Sequence, residues 1–130
     1  MSGENPLNVW GDGTPVRDFL HARDCARGML LVFEKMPSQP VNLGSGKGVA
    51  IKQIVDTIIS NLDPKPKVVW DTSKPSGDKK RLMDVTRAAN LGFKAKISIE
   101  EGIREVIEWY KENKDTMNKR YNVFSQNNFV

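Results

Sequence analysis

Two arginines, a tryptophan and a glycine-rich string are the residues here whose types and spacing could carry chemistry. Arg17 follows the turn cluster Gly11-Asp12-Gly13-Thr14-Pro15 and sits beside Asp18 and Phe19. An arginine so placed either pairs with a neighbouring acid at the surface or offers its guanidinium to a ligand. Arg81 closes the run Lys79-Lys80-Arg81, just after the loop Ser73-Lys74-Pro75-Ser76-Gly77. Such a run is either a solvated surface or the presentation of a guanidinium to phosphate, whose oxygens accept two parallel N–H bonds. Trp10 abuts the first turn cluster. Trp70 and Trp109 read as core residues, and Trp10 is the tryptophan least tied to a core.

The string Gly44-Ser45-Gly46-Lys47-Gly48 invites comparison with phosphate loops and fails it. A Walker loop needs Gly five positions before its Gly-Lys pair and Ser or Thr after the Lys; Val41 and Gly48 stand there instead. A dinucleotide fingerprint needs a third Gly where Val49 stands. The string therefore reads as a tight turn that needs positive φ. His21 and Cys25 are four residues apart and share a helical face, but two ligands do not make a metal site. A catalytic Cys–His pair would need a thiolate of low pKa. Both residues read as structural.

Three helices and three short strands must position these residues. The first helix is expected from about Asp24 to Lys35, with Ala26, Met29, Leu30 and Phe33 at helical spacing and Pro37 beyond its end. The second carries Ile51, Ile54, Val55, Ile58, Ile59 and Leu62 as one apolar stripe and stops before Pro64. The third opens at Ser98, with Glu101 in capping-box position and Ile99, Ile103, Val106, Ile107 and Tyr110 on its apolar face. A short helix over Thr86–Asn90 is stopped by Gly92. Leu7–Trp10, Pro40–Leu43 and Lys67–Trp70 are brief apolar runs bounded by turn residues, and read as strands. The alternation implies an α/β or α+β domain. Three short strands make a small sheet, so one face is expected to lie against something outside this sequence.

Composition narrows the class without naming a reaction. The 130 residues are 38% hydrophobic and 28% charged, ordinary for one globular domain. Twenty Lys and Arg against 16 Asp and Glu give a net charge of +4, mildly favourable to an anionic ligand. One Cys excludes an internal disulfide and makes a reducing, cytoplasmic compartment the expectation; with one His besides, no zinc cluster is expected. No apolar run is long enough for a membrane helix, and Met1-Ser2-Gly3-Glu4-Asn5-Pro6 lacks the regions of a signal peptide. Residues 116–130 are rich in Asn without sustained periodicity and are expected to form a loosely held tail beyond a domain of residues 1–115.

Ordered blocks of the sequence resemble a known family. Val9-Trp10-Gly11-Asp12-Gly13-Thr14-Pro15-Val16-Arg17-Asp18-Phe19-Leu20-His21, followed by Asp24 and Ala26, resembles a signature of the nucleotide-sugar epimerases and dehydratases, the extended short-chain dehydrogenases. Val41-Asn42-Leu43-Gly44-Ser45-Gly46 resembles the next block. Val69-Trp70-Asp71-Thr72-Ser73-Lys74-Pro75-Ser76-Gly77, continuing through Arg81-Leu82-Met83-Asp84-Val85-Thr86-Arg87, is similar to the GDP-L-fucose synthase branch. Leu91-Gly92-Phe93 and Ile97-Ser98-Ile99-Glu100-Glu101-Gly102, ending at Trp109-Tyr110, extend the likeness over about residues 7–113. Ala50, where the family often has a Ser or Thr helix cap, and Ala22-Arg23, where Val-Asp is common, depart from it.

The resemblance implies a part of an enzyme. The resemblance gives no counterpart here to the family's N-terminal Rossmann domain, with its glycine-rich NAD(P) turn, catalytic Ser and Tyr-x-x-x-Lys pair: Tyr110 and Tyr121 are the only tyrosines, and Tyr110, which has Lys114 four residues on, ends the block that resembles the family's C-terminal region. Cys25 and His21 do not match the branch's acid/base residues. The sequence resembles the C-terminal substrate-binding region. By that resemblance Trp10 and Arg17 match positions that contact the nucleotide diphosphate or its ribose, and Arg81 matches that of a second basic contact, often Lys, on the pyrophosphate. The implied partners are a nucleotide sugar, GDP-sugar favoured, and the missing Rossmann domain, with self-association through the face left open. NAD(P) would belong to the complete enzyme, not to this chain. Two rival readings remain: a free-standing sugar-nucleotide-binding module, and a basic nucleic-acid-binding domain. Against the second, the basic residues are dispersed among acids and no such motif is present.

Overall fold

The computed structural model describes residues 5–115, so the tail expected at 116–130 lies outside the described residues. Along them run β1 (Leu7–Trp10), β2 (Val16–Asp18), α1 (Ala22–Lys35), β3 (Gly48–Ala50), α2 (Ile51–Ser60), β4 (Val68–Asp71), β5 (Lys80–Arg81), α3 (Thr86–Asn90) and α4 (Ile99–Asn113). The α/β class is as expected; of the expected strands Leu7–Trp10 is present with those bounds and Lys67–Trp70 one residue later, while β2, β3 and β5 were not expected. β1 and β4 form a two-stranded parallel sheet, with Leu7 opposite Val68 and Trp10 opposite Asp71. In a second sheet β2 is central, antiparallel to β3 and parallel to β5. β2, β3 and β5 span two or three residues each, too few for a period-2 pattern to register.

Pro40–Leu43, expected as a strand, is irregular. Its alternation is real, since Val41 and Leu43 are half-buried while Asn42 faces out, but among the described residues no strand lies beside it to complete a ladder. Side chains hold it instead: Arg87 donates to the Pro40 carbonyl (2.8 Å) and Asn42 to that of Asp84 (3.3 Å).

The helices follow their apolar spacing at the centre and their caps at the ends. α2 buries Val55 and half-buries the isoleucines of its stripe. It stops at Ser60, and the Asn61 and Leu62 amides close a tightened turn onto Ile58 and Ile59 (3.0 and 3.2 Å), which still buries Leu62. At its start Ala50 has no side-chain oxygen to cap with; Gln53 reaches back to accept from the Ala50 amide (3.0 Å), the one half of a capping box this sequence allows. Ser98 caps α4 by accepting from the Glu101 amide (3.1 Å). α1 begins two residues earlier than its apolar pattern indicates, because His21 acts as the cap and its Nδ1 accepts from the Arg23 amide (3.2 Å).

The core is small. Among the described residues the buried apolar side chains are Val55, Leu62, Ala88 and Phe93. α1 reaches this core through Gly28, where a Cβ would lie 2.8 Å from both Leu43 and Phe93, so a helix position that costs about 1 kcal/mol as glycine is what lets the helix approach. The apolar side chains beyond it do not follow it inward: Met29, Leu30, Phe33 and Met36 are 62–76% exposed. Trp109, expected in the core, is 52% exposed on α4, and Val106 beside it is exposed too. These faces have no partner among the described residues to bury them.

Candidate functional site

Trp10, Arg17 and Arg81 are separated by up to 71 residues in sequence, and one loop ties them together. That loop, residues 72–79, joins β4 to β5. It is anchored to the first turn cluster by Ser76, whose hydroxyl donates to the Asp12 carboxylate (3.1 Å) and accepts from the Asp12 amide (3.3 Å). Thr14 adds its amide (3.0 Å) and hydroxyl (2.8 Å) to the same carboxylate oxygen. Those bonds, Thr14's first, hold the Asp12 carboxyl below its ordinary range. Gly13 supplies the positive φ of the turn (+75°) and lies against Trp70, which a Cβ would approach to 2.6 Å.

At one end of the loop, Asp71 accepts from the Ser73 amide (3.1 Å) and hydroxyl (2.5 Å), and the Lys74 amide bonds to the Asp71 carbonyl (3.2 Å). This turn sets the Lys74 ammonium 5.8 Å from the centre of the Trp10 ring, a cation–π contact on an indole that is 70% exposed.

At the other end stand the arginines. The parallel register of β2 and β5 pairs Arg17 with Arg81 directly, and register partners of a parallel pair project from the same face. Adjacent strands lie about 4.8 Å apart. Two like charges side by side on a sheet oppose its formation, so the arrangement needs an anion nearby. Asp78 supplies one. Its carbonyl accepts from Arg17 Nη1 (2.8 Å), which also donates to the Val16 carbonyl (2.9 Å), and its carboxylate accepts from Arg81 Nη2 (2.5 Å). The two open readings of the sequence thus part company: Arg17 is held by carbonyl oxygens, and Arg81 is the arginine that pairs with an acid. Arg17 Nε and Nη2 make no hydrogen bond to the described residues. The Arg81 side chain is 76% exposed. The arrangement offers two converging guanidinium groups and a half-open aromatic ring, the donor set of a phosphorylated, ring-bearing ligand.

The glycine-rich string does not join this edge. Gly46 has φ +71°, as the turn reading requires. Two of the string's N–H groups are already committed: the Asp18 carboxylate accepts from the Ser45 amide (2.8 Å), the Ser45 hydroxyl (2.5 Å) and the Gly46 amide (3.2 Å). The loop cradles an anion, and that anion is the protein's own, one residue beyond Arg17. A cleft of about 520 Å³, lined by Phe19, Lys47, Val85, Phe93, Lys96 and Ile97 among others, lies between this loop and the chain entering α4; Trp10, Arg17 and Arg81 take no part in it.

His21 plays a structural part, and Cys25 is a half-buried free thiol. His21 caps α1, and its Nε2 lies 3.8 Å from Glu105, which also pairs with Arg23, so that α1 is tied to α4. Sequence reasoning overlooked Asp24. It is 1% exposed and accepts from the Lys96 amide (2.7 Å), the Ile97 amide (2.9 Å) and Arg27 Nη2 (2.5 Å). Burial works against its charge, but the Arg27 bond and the two amides outweigh it and hold the carboxyl down to about 2. The signal available was an acid in a first helical turn with an arginine three residues on. Asp78 was overlooked too, for want of any local pattern that marks a loop carboxylate as the partner of two strands.

Residues 1–106 match the family model described as GDP-mannose 4,6 dehydratase. The chain is 41% identical over 106 residues to the putative GDP-L-fucose synthase 2 of Arabidopsis thaliana, covering 81% of this chain and 32% of that protein. It is 38% identical over 117 residues to the GDP-L-fucose synthase of Escherichia coli K12, covering 82% and 36%. Among solved structures, the GDP-L-fucose synthetase of Naegleria fowleri bound to NADP superposes with a TM-score of 0.77 at 28% identity, over 86% of this chain and 36% of that one. A GDP-6-OMe-4-keto-L-xylo-heptose reductase from C. jejuni gives 0.73 at 28%, over 84% and 34%. The chain thus spans about a third of the length of these relatives. With a family model covering most of its length and synthases of GDP-L-fucose among its relatives, the chain belongs to the GDP-mannose 4,6 dehydratase family of sugar-nucleotide epimerases, dehydratases and reductases.

Proposed function

We propose that this chain is the nucleotide-sugar-binding part of an NAD(P)-dependent sugar-nucleotide epimerase/reductase of the GDP-L-fucose synthase kind, with a GDP-sugar as its ligand. The observation that carries the reading is the in-register pairing of Arg17 with Arg81 on one sheet face. A diphosphate has oxygens enough to engage both guanidinium groups at once, and each charge-assisted contact is worth about 1.5–3 kcal/mol. Trp10 offers an open ring face for the ribose or base. The names of the relatives support guanine as the base. In the complete enzyme the chemistry is epimerisation of a 4-keto-6-deoxy sugar nucleotide followed by reduction with NADPH. This chain contributes the positioning of the substrate, a large part of catalysis in itself.

The dinucleotide cofactor belongs with the part of the relatives that this sequence does not span. The Gly44–Gly48 turn does not fit a dinucleotide phosphate, since its Ser45 and Gly46 amides donate to Asp18. The exposed face of α1, with Met29, Leu30, Phe33 and Met36, is the surface to meet that segment, a Rossmann domain. An interface of about 600–1,500 Å² is usual between domains of one chain. Left open, this face drives self-association of the isolated chain. The chain alone does not turn over a keto-sugar nucleotide with NADPH. Isothermal titration with GDP, UDP, dTDP and CDP tests the reading: saturable binding with GDP strongest supports it, and absence of binding to any nucleoside diphosphate at millimolar concentration overturns it.

A further inference from the structure

We propose that Asp78 is an internal counter-anion for Arg81, one that a ligand's diphosphate displaces, so that its carboxylate sets the affinity of the site. The inference rests on the proposed function above and deepens it. Three observations carry it. The Asp78 carboxylate occupies Arg81 Nη2 at 2.5 Å, on the guanidinium that β-sheet register sets beside Arg17. The pair is open to water, with side-chain exposures of 76% and 61%, so nothing locks it shut. The hold of Asp78 on Arg17 runs through the main-chain carbonyl, a separate atom, and does not depend on the carboxylate at all.

The division of labour follows from those atoms. Without ligand, the carboxylate neutralises one of two adjacent cations and relieves their repulsion. When a diphosphate arrives, its oxygens compete with one monovalent carboxylate for Arg81 and meet only neutral carbonyls at Arg17. The carbonyl contact stays and keeps Arg17 aimed; the carboxylate contact is exchanged. Exposed ion pairs are weak, so the competition costs a ligand about two- to fivefold in affinity.

The test is titration of GDP into the chain and its Asp78→Asn variant at one ionic strength. Asparagine keeps the shape and the main-chain carbonyl and removes the charge. The expected result is affinity about two- to fivefold tighter in Asp78→Asn, with the gain abolished in an Arg81→Ala background. A carboxylate that merely held the loop would give the opposite sign, a loss. Glu112→Gln on exposed α4 removes the same charge elsewhere and is expected to leave affinity unchanged; an equal gain there would reduce the effect to net charge and overturn the proposal. Binding by the parent chain with unchanged or weaker binding by Asp78→Asn also overturns it, while leaving the function standing. No binding by the parent chain overturns the function itself.

Discussion

Two Asp–Arg pairs of this chain share a spacing and a distance and differ in everything else. Asp24–Arg27 and Asp78–Arg81 are both three residues apart and both 2.5 Å between nitrogen and oxygen. The Asp24 side chain is 2% exposed and that of Asp78 is 61% exposed. Asp24 accepts two backbone amides besides, from a segment more than 70 residues away, and Arg27 in turn donates to the Lys94 carbonyl (3.0 Å) and lies 5.8 Å from the centre of the Phe93 ring. The Asp78 carboxylate has Arg81. The first pair is a tether between α1 and the chain entering α4. The second is a contact that solvent or a stronger anion can replace. Ion-pair geometry alone therefore says little about role; what else the carboxylate accepts, and how much water reaches it, decides.

The contrast is broken most sharply at Asp24. Asp24→Ala leaves the Lys96 and Ile97 amides without this acceptor and takes the carboxylate from Arg27, and is expected to lower stability by about 3 kcal/mol, read from urea denaturation. With so few buried apolar side chains, that is a large share of what a small domain has. Next in size, Arg17→Ala is expected to weaken GDP binding about 10- to 100-fold with little change in the denaturation midpoint, checked by titration calorimetry alongside the urea curve. The third effect is acid sensitivity. Asp24 titrates near 2 when folded and at its ordinary value, 3.8, when unfolded, so the stability it lends is complete above the ordinary value and is lost as pH falls toward 2. Urea midpoints measured between pH 5 and pH 2 should fall for the parent chain and flatten in Asp24→Asn; equal slopes would remove Asp24 as the cause. Smallest of all, Asp78→Ala should shift stability by no more than about 0.5 kcal/mol. A loss as large as that of Asp24→Ala would erase the distinction between the two pairs.

Legibility in the sequence followed the length of the pattern that wrote each element. α2 spells its buried face over six apolar positions, and both its existence and its face could be read. α3 was marked by its stop at Gly92 and emerged with the expected bounds. β2, β3 and β5 are set by pairing across 30 or more residues and by caps and turns, not by their own alternation, so they left no trace to read. Pro40–Leu43 shows the converse: a strand-like pattern whose ladder partner is missing from the described residues. The exposure of the α1 stripe has a similar origin, for spacing reveals that a face is apolar and is silent about what covers it. Of the site, Trp10, Arg17 and Arg81 were reached through the family resemblance and through side-chain chemistry. The pairing of Arg17 with Arg81 is a fact of register, and Asp78, which bridges these two, could be recognised only once that register was known.

On the proposed reading, Arg17 and Arg81 act on one diphosphate together. Titrating GDP into the parent chain, Arg17→Ala, Arg81→Ala and the double variant at about 0.15 M salt tests it most directly. The account predicts saturable binding by the parent, weakening of about tenfold or more in each single variant, and a double loss that departs from the product of the two, as for groups sharing one ligand. Equal affinity in the parent and double variant would contradict it.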